Sequence, residues 1–254
     1  MLELNKIYNE SNLETLKRIP DNSIDLVVTS PPYNMNLRIR NGEYCSRQIT
    51  KEFSTKYVGF DDNLPIDDFY NLHSHILEEL FRTTSIIFYN IQIVTGSKRA
   101  FFKIIGNYSD YLKDIIIWDK GWGQPSMLKN VINRRSELLL VFDTKNAISR
   151  QFEKCNFERG TLDDIWEIKR GKKVHKDHSA VFPEELTDKI ISLFSNEGDL
   201  VYDPFMGSGT TAVSAIKNGR NWIGSEISAE YLEIANKRIQ NTIEELNSKP
   251  TELF

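Results

Sequence analysis

Cysteine is scarce in this sequence, and long hydrophobic runs are missing from it. Cys45 and Cys155 are the two cysteines among 254 residues. Neither stands in a spacing typical of metal ligands, so we expect free thiols in a reducing compartment. No run approaches the roughly 20 apolar residues that a membrane span requires, and the first residues lack the basic stretch and apolar core of a signal peptide. These absences predict a cytoplasmic protein without a membrane partner.

Histidine is also scarce, and its four copies do not form a metal-ligand pattern. His73 and His75 share one predicted helix, but their spacing is not that of a zinc site. His175 lies in a basic run, where we interpret it as a solvated or phosphate-contacting side chain. We therefore expect no metal.

Excess positive charge is missing too, because the net charge is −4 and the pI is about 5.7. Taken alone, this balance argues against a nucleic-acid partner. Residues 169–176 nevertheless read KRGKKVHK, with five Lys or Arg and no acid, and residues 38–56 carry five cationic side chains against two acids. A local basic face can contact phosphates on an acidic protein. Solvated loops are the alternative interpretation of both stretches.

Hydrophobic periodicity predicts alternating strands and helices. The expected strands are 4–8, 24–29, 85–89, 115–118, 137–142, 200–202 and 221–224, and the expected helices are 13–19, 69–81, 98–105, 183–194, 210–217 and 231–247. Residues 35–63 lack a period and are expected to form a long loop, while 119–133 and 145–177 look irregular. Such alternation indicates an α/β protein with a mostly parallel sheet and helices on both faces.

A glycine-containing turn follows the predicted strand 200–202 and precedes a helix. It consists of Asp203, Pro204, Phe205, Met206, Gly207, Ser208, Gly209, Thr210 and Thr211. Glycines at the carboxyl end of a strand let the backbone approach a ligand closely. Glu226 closes the next strand, at the distance where nucleotide-binding folds place an acid for the ribose hydroxyls. The acid at this distance favours a nucleotide-containing cofactor over a structural loop, and the absence of the lysine of a phosphate-binding loop disfavours ATP.

A second unusual turn, Thr29-Ser30-Pro31-Pro32-Tyr33-Asn34, follows the predicted strand 24–29. Its prolines remove two backbone donors and leave carbonyl acceptors. If Ser30 and the Pro31 carbonyl accept from a base amino group, its nitrogen can pyramidalise and expose its lone pair. Tyr33 would then offer a stacking face for an extruded base. The alternative interpretation is a double-proline strand terminator.

Together the two motifs resemble those of the DNA amino-methyltransferases. Those enzymes carry [D/N/S]-P-P-[Y/F/W] as their catalytic tetrapeptide and a cofactor loop similar to DPFMGSGTT. The tetrapeptide precedes the cofactor loop here, which is the order of the family's β class. Residues 178–186, HSAVFPEEL, resemble the family's HPAxFPxxL segment, and weaker matches occur at 118–120, Glu137 and 164–166. The resemblance spans nearly the whole chain.

This resemblance implies a Rossmann-like S-adenosylmethionine-dependent methyltransferase fold, with a mostly parallel seven-stranded sheet, helices on both faces and a circularly permuted motif order. Residues 1–118 would form the catalytic half, with 35–63 as a DNA-contacting loop. Residues 119–177 would form an inserted target-recognition segment, and 178–254 the cofactor-binding half.

The resemblance also implies roles for individual residues. The catalytic set is Ser30, Pro31, Pro32 and Tyr33. The set that binds S-adenosyl-L-methionine is Asp203, Pro204, Phe205, Gly207, Ser208, Gly209, Thr210, Thr211, Glu226, His178, Ser179, Phe182 and Ser11. The set expected to contact DNA is Asn34, Arg38, Arg40, Arg47, Lys51, Lys169, Arg170, Lys172 and Lys173. Many family members have an aspartate for the cofactor adenine where this chain has Ser11, and Ser179 replaces a proline.

The implied reaction is direct transfer of a methyl group to an exocyclic amino nitrogen of a flipped base in double-stranded DNA. Serine in the tetrapeptide favours cytosine N4, and adenine N6 is the alternative. A protein glutamine methyltransferase is disfavoured, because its Pro-Pro-Tyr turn follows the glycine loop. A non-catalytic DNA-binding subunit is the alternative from another class, disfavoured by the intact motifs. Family analogy adds a homodimer and a cognate restriction endonuclease as candidate partners.

Overall fold

The computed structural model describes residues 2–40, 43–46, 62–123, 129–171 and 182–248. The strands are β1 (Lys6–Tyr8), β2 (Leu26–Thr29), β3 (Leu37–Arg40), β4 (Glu43–Ser46), β5 (Ile86–Ile91), β6 (Leu112–Asp119), β7 (Ser136–Asp143), β8 (Ile165–Glu167), β9 (Leu200–Asp203) and β10 (Asn221–Ser225). The helices are α1 (Asn12–Leu16), α2 (Ile66–Thr83), α3 (Lys98–Asn107), α4 (Glu184–Phe194), α5 (Thr210–Lys217) and α6 (Ala229–Ser248). None of these helices is long and apolar enough to cross a membrane.

Eight of the described strands form one sheet in the order β1-β10-β9-β2-β5-β7-β6-β8. Within that sheet, β7 alone runs antiparallel to its neighbours. The mostly parallel α/β architecture is therefore as predicted, with one strand more than the seven expected. The extra strand, β8, pairs in parallel with the end of β6 through Ile117↔Ile165 to Asp119↔Glu167. The predicted recognition segment, 119–177, thus contributes both β7 and β8 to the central sheet.

The helices cover both faces of this sheet and bury two apolar clusters. On one face α4, α5 and α6 pack over alternate strand residues such as Leu26, Phe88 and Val201. On the other face α1, α2 and α3 pack over the intervening residues, among them Val27 and Ile87. Because successive strand side chains point to opposite faces, a strand buried on both faces reads as a continuous apolar run.

The turns after β2 and β9 are neighbours in space. These two strands pair in parallel through Leu26↔Val201 and Val27↔Tyr202, although about 175 residues separate them. The chain proceeds from β2 towards β5 and from β9 towards β10, so the strand order reverses between β2 and β9. Ligands of open α/β sheets bind at the carboxyl ends of the strands at such a reversal.

The expectation of a structureless loop over residues 35–63 was wrong for its first part. Strands β3 and β4 form a two-stranded antiparallel sheet there, paired from Leu37↔Ser46 to Arg40↔Glu43. Apolar and cationic residues alternate in Leu37–Arg40, and so short a pattern in a polar stretch is easily overlooked. The remainder of the predicted loop up to residue 61 lies outside the described residues.

Candidate active site

One cavity of about 240 Å³ opens where the turns after β2 and β9 meet. Ser30, Pro32 and Tyr33 line it from the first turn, and most of the glycine-containing turn lines it from the second. Phe182 and Glu226, predicted from two further segments, also reach this cavity. The structure therefore brings together two motifs that are far apart in the sequence.

Asp203 is the anchor of the glycine-containing turn. Its buried carboxylate accepts hydrogen bonds from the Thr29 hydroxyl at 2.7 Å, the Thr211 hydroxyl at 2.6 Å and the Phe205 backbone N–H at 2.9 Å. Asp203 thus joins the end of β2 to the start of α5. Burial raises the pKa of Asp203 to about 6, and the two threonine hydroxyls and the backbone N–H oppose that rise.

Asp203→Asn is expected to change how stability depends on pH. Because the folded-state pKa of about 6 lies above the ordinary aspartate pKa of 3.8, the folded protein binds more protons than the unfolded chain between these two pH values. The Asp203 contribution to the free energy of unfolding is therefore largest below pH 4, and up to about 3 kcal/mol of it is lost as pH rises through 6. Urea unfolding of both proteins from pH 4 to 7 measures this difference.

In that experiment the stability of wild type relative to Asp203→Asn should decline as pH rises. The exposed residue Asp110 provides the control variant Asp110→Asn. A relative stability that rises with pH would contradict the assignment of a raised pKa to Asp203.

Glu226 lies beside the same turn, at the end of β10. Its carboxylate accepts hydrogen bonds from the backbone N–H groups of Gly207 and Ser228, each at 2.8 Å. Burial is the main reason that the pKa of Glu226 is raised, while these two hydrogen bonds oppose the rise. A carboxylate has about four lone-pair sites, so Glu226 retains acceptor capacity towards the cavity that it lines.

The two predicted glycines have different surroundings. Gly207 has φ +52°, and a Cβ there would meet only the Phe205 carbonyl oxygen, at 3.8 Å. Gly209 has φ +81°, and a Cβ there would lie 3.0 Å from the Cβ of Ala235 on α6. Gly209 does not line the cavity and packs between the turn and α6, while its cofactor contact stays a prediction.

Residues that sequence reasoning missed hold the turn from outside. The Arg238 guanidinium on α6 donates to the Ser208 carbonyl oxygen at 2.6 Å and to the Thr210 hydroxyl at 3.1 Å. The Asn12 side-chain amide donates to the Pro204 carbonyl oxygen at 3.2 Å. No local motif marks Arg238, because its role depends on the packing of α6 against α5.

The start of α1 also lines the cavity. Ser11 is the N-cap residue of this helix, and it lines the cavity together with Glu10 and Asn12. Glu10 accepts a hydrogen bond from the Thr15 hydroxyl at 2.7 Å and is paired with Arg18. Of these three residues, Glu10 is the one that carries a carboxylate.

Ser30 and Tyr33 face each other across the double-proline turn. The Ser30 hydroxyl oxygen lies 2.6 Å from the Tyr33 hydroxyl oxygen, and Tyr33 is buried. Pro32 lines the cavity, whereas Pro31 is buried without lining it. The tetrapeptide therefore presents Ser30, Pro32 and Tyr33 to the cavity and uses Pro31 in the wall behind.

A buried polar cluster that we name the support network lies behind this tetrapeptide and consists of Asn90, Lys120 and Glu137. Tyr33 donates from its hydroxyl to Glu137 at 3.1 Å, and the Asn90 amide nitrogen lies 2.7 Å from both the Tyr33 hydroxyl and Glu137. Lys120 donates to the other Glu137 oxygen at 3.0 Å. Sequence reasoning missed Asn90, whose only signal was a polar residue near the end of a predicted apolar strand.

Among residues predicted to contact DNA, Asn34 requires a correction. It is fully buried, has φ +56°, and donates from its amide to the carbonyl oxygens of Leu64 at 2.8 Å and Gly96 at 3.0 Å. Asn34 therefore fixes the exit of the tetrapeptide turn and does not face a partner. Gly96 permits this approach, since a Cβ there would lie 2.0 Å from the Asn34 carbonyl oxygen.

The other predicted DNA contacts divide into three groups. Lys169 and Arg170 are exposed just after β8, at the same sheet edge as the cavity. Arg38 and Arg40 belong to β3. Outside the described residues lie Arg47, Lys51, Lys172 and Lys173, as do the predicted cofactor contacts His178 and Ser179.

Two tryptophans outside the two motifs differ in their surroundings. Trp166 is 2% exposed, and its indole N–H donates to the Asp163 carbonyl oxygen at 2.7 Å, as expected of a core residue. Trp122 is 64% exposed and does not pack in the core. Trp122 lies just beyond β6, at the cavity edge of the sheet, between Gly121 and Gly123.

The sheet order, the cavity at the strand reversal and the two motifs define a Rossmann-like methyltransferase fold. A solved structure of the PvuII DNA methyltransferase, which is cytosine-N4-specific, matches with a TM-score of 0.71 at 18% identity, covering 96% of this chain and 94% of that one. The M1.HpyAVI–SAM complex matches with a TM-score of 0.60 at 21% identity, covering 92% of this chain and 98% of that one.

A family model described as DNA methylase, for the N6 and N4 enzymes, matches residues 24–237. Orphan methyltransferase M.BamHII of Bacillus amyloliquefaciens is 32% identical, over 89% of this chain and 92% of its own length. Type II methyltransferase M.BglII of Bacillus subtilis is 27% identical, over 97% of this chain and 72% of its own length. The chain belongs to this family of N4/N6 DNA amino-methyltransferases and is a DNA methyltransferase.

Proposed function

We propose that this enzyme methylates the N4 amino group of a flipped cytosine in double-stranded DNA, with S-adenosyl-L-methionine as methyl donor. The observation that carries the proposal is the single cavity shared by the Ser30–Tyr33 tetrapeptide and the glycine-containing turn. A donor held against one turn and a base held against the other would meet within this cavity.

The residues of the second turn fit S-adenosyl-L-methionine. The backbone at Gly207 is open to the cavity, with no atom nearer than 3.8 Å to a Cβ position. Glu226 would accept hydrogen bonds from the ribose hydroxyls, while Ser11, Glu10 and Phe182 line the remaining wall. When bound, this cofactor supplies an electrophilic methyl group.

The residues of the first turn fit a base amino group. Ser30 offers a hydroxyl oxygen at the cavity wall, and the backbone carbonyl oxygen of Pro31 is the second acceptor expected from the double-proline turn. Two acceptors for the two N–H bonds draw the amino nitrogen out of conjugation with its ring. Pro32 and Tyr33 supply apolar walls for the base, which must leave the stack to enter. Rate enhancement then comes from positioning and from these acceptors.

The choice of cytosine rests on Ser30. Serine at the first position of the tetrapeptide is associated, by family resemblance, with N4 methylation of cytosine. Adenine N6 is the second candidate, and the product analysis below distinguishes the two bases.

Exposed groups near the cavity favour a duplex partner. Lys169 and Arg170 offer cations for phosphates, and the exposed Trp122 offers an aromatic face at the same sheet edge. A homodimer and a cognate restriction endonuclease remain expectations from family analogy.

Replacing Lys169 and Arg170 with glutamine should reduce the salt dependence of DNA binding. Each phosphate contact contributes about 0.9 to the slope of log affinity against log salt, so the slope should fall by about one to two. Fluorescence anisotropy with a labelled duplex at several salt concentrations measures it. Lys145→Gln, an exposed lysine at the opposite sheet edge, is the control. Equal slopes for wild type and the double variant would place this pair away from DNA.

The proposed function is tested by the product. Purified protein is incubated with genomic DNA and methyl-labelled S-adenosyl-L-methionine, and the nucleosides are then separated by mass. N4-methyldeoxycytidine is expected, and modification-sensitive sequencing of the same DNA locates the target site. Detection of N6-methyldeoxyadenosine would identify adenine, and not cytosine, as the target base. The absence of any labelled nucleoside would contradict the proposed reaction.

A further inference from the structure

The support network controls the direction of the hydrogen bonds around Ser30. A carboxylate accepts hydrogen bonds and donates none. Lys120 and Glu137 form an ion pair at 3.0 Å in which the side chains are only 1% and 10% exposed. Since Glu137 can only accept hydrogen bonds, the Tyr33 hydroxyl donates its one hydrogen to Glu137.

The consequence for Ser30 follows from counting hydrogens. Distance alone allows either hydroxyl to donate across the 2.6 Å contact. With the Tyr33 hydrogen directed to the Glu137 carboxylate, Ser30 is the donor in that contact. The Asn90 amide nitrogen donates to the Tyr33 oxygen at 2.7 Å and occupies one of its lone pairs. Ser30 then has lone pairs but no hydrogen left to present to the cavity.

We infer that Glu137, with Lys120 as its counter-ion, is a positioning residue that makes Ser30 an obligatory acceptor and thereby selects a base bearing an amino group over one bearing a carbonyl group. The inference rests on the proposed function, because it concerns the base end of the same cavity. An amino group donates to Ser30, whereas a carbonyl oxygen in that place would face the Ser30 lone pairs. Specificity of this kind arises when a buried polar group would be left unpaired.

Replacing Glu137 with glutamine should reverse the direction of the hydrogen bonds that run from Ser30 through Tyr33 to Glu137. Lys120 keeps the glutamine oxygen as its acceptor, so the glutamine nitrogen takes the place of the Glu137 oxygen beside Tyr33. The Tyr33 hydrogen then loses that acceptor and turns towards Ser30, and the Ser30 hydrogen turns towards the cavity. Glu137→Gln leaves Lys120 buried without its counter-ion, which can impair folding. The double variant Glu137→Leu/Lys120→Met removes both charges and the acceptor together, and it tests the same reversal without an unpaired ion.

The experiment compares two duplexes that contain the target site found by sequencing. One carries the natural target base, and the other carries deoxyuridine in place of cytosine, or deoxyinosine if the target is adenine. Affinities are measured for wild type and both variants with S-adenosylhomocysteine present. The preference of wild type for the amino base should fall about tenfold in the variants. Easier extrusion of the mispaired base affects all three proteins alike and cancels in the comparison.

The outcomes separate this inference from the proposed function. A wild-type protein that methylates no DNA counts against the proposed function. An active wild type whose base preference is unchanged in a folded variant overturns the inference alone, since a merely structural Glu137 would weaken both duplexes equally. Circular dichroism and S-adenosylhomocysteine binding establish that the variant is folded. If Glu137→Gln is not folded, the base preference of the double variant decides.

Discussion

Ser30→Ala is expected to lower the rate constant of methyl transfer about 10²–10³-fold, while S-adenosyl-L-methionine binds with nearly unchanged affinity. Loss of one preorganised hydrogen-bonding partner of a reacting group costs about 2.7–4 kcal/mol in comparable sites. The Ser30 hydroxyl is placed by its 2.6 Å contact with Tyr33, and alanine leaves one amino N–H without that acceptor. The glycine-containing turn and Glu226 do not contact Ser30 through any hydrogen bond described above, so the cofactor half should be preserved.

Single-turnover methyl transfer and cofactor titration on the same preparation separate the two effects. Ser23→Ala is the matched control, because Ser23 lies exposed before β2 and, within the part of the chain that the structure describes, its hydroxyl bonds only to the Pro20 carbonyl oxygen, at 2.7 Å. Full transfer activity in Ser30→Ala would reduce the tetrapeptide to a strand terminator and remove the main support for the proposed base site.

The architecture was predictable where strands are buried on both faces. β2 and β9 read as short apolar runs, and the turns that end them carry unusual residues. β8 escaped prediction because three residues, of which only Trp166 is buried, give no detectable period. Its existence depends on pairing with β6, a partner about 48 residues away. Pairing over such a distance leaves no mark on the local sequence.

The site was predictable as two motifs, but the contacts among the groups behind the tetrapeptide were not. Asn90 and Glu137 meet because β5 and β7 pair antiparallel with Asn90 opposite Leu139. That register is set by the whole sheet and not by either segment. Asn34 illustrates the reverse error, since a polar residue after the tetrapeptide suggested a partner outside the protein. Its positive φ, which asparagine tolerates better than most residues, and its buried amide serve the turn itself.

Asp203 also holds the two motifs next to one another at the cavity. Asp203 receives a hydrogen bond from Thr29 on β2 and another from Thr211 on α5. The same carboxylate therefore fixes the distance between the strand that leads into Ser30 and the turn that holds the cofactor. A shared anchor of this kind keeps the proposed positions of the cofactor and the base fixed relative to one another.

Gly207→Val is expected to abolish measurable binding of S-adenosyl-L-methionine without unfolding the protein. The Gly207 backbone lies at the cavity wall with φ +52°. The nearest atom to a Cβ built there is the Phe205 carbonyl oxygen, at 3.8 Å, so the space is empty. A valine side chain would occupy that space and would also strain the left-handed backbone, at a cost of about 1–3 kcal/mol. The strain alone predicts a modest loss of stability, whereas the occupied space predicts a loss of binding.

Gly198→Val separates these two causes. Gly198 has φ +83°, is exposed in the turn before β9, and has no atom within 4 Å of a Cβ position. It therefore shares the backbone strain but lies outside the cavity lining. Thermal unfolding should show similar losses for both variants, while isothermal titration should show cofactor binding only in Gly198→Val and wild type. Unchanged affinity in a folded Gly207→Val protein would place the cofactor away from the glycine-containing turn, because no ligand could lie against Gly207 and tolerate valine there.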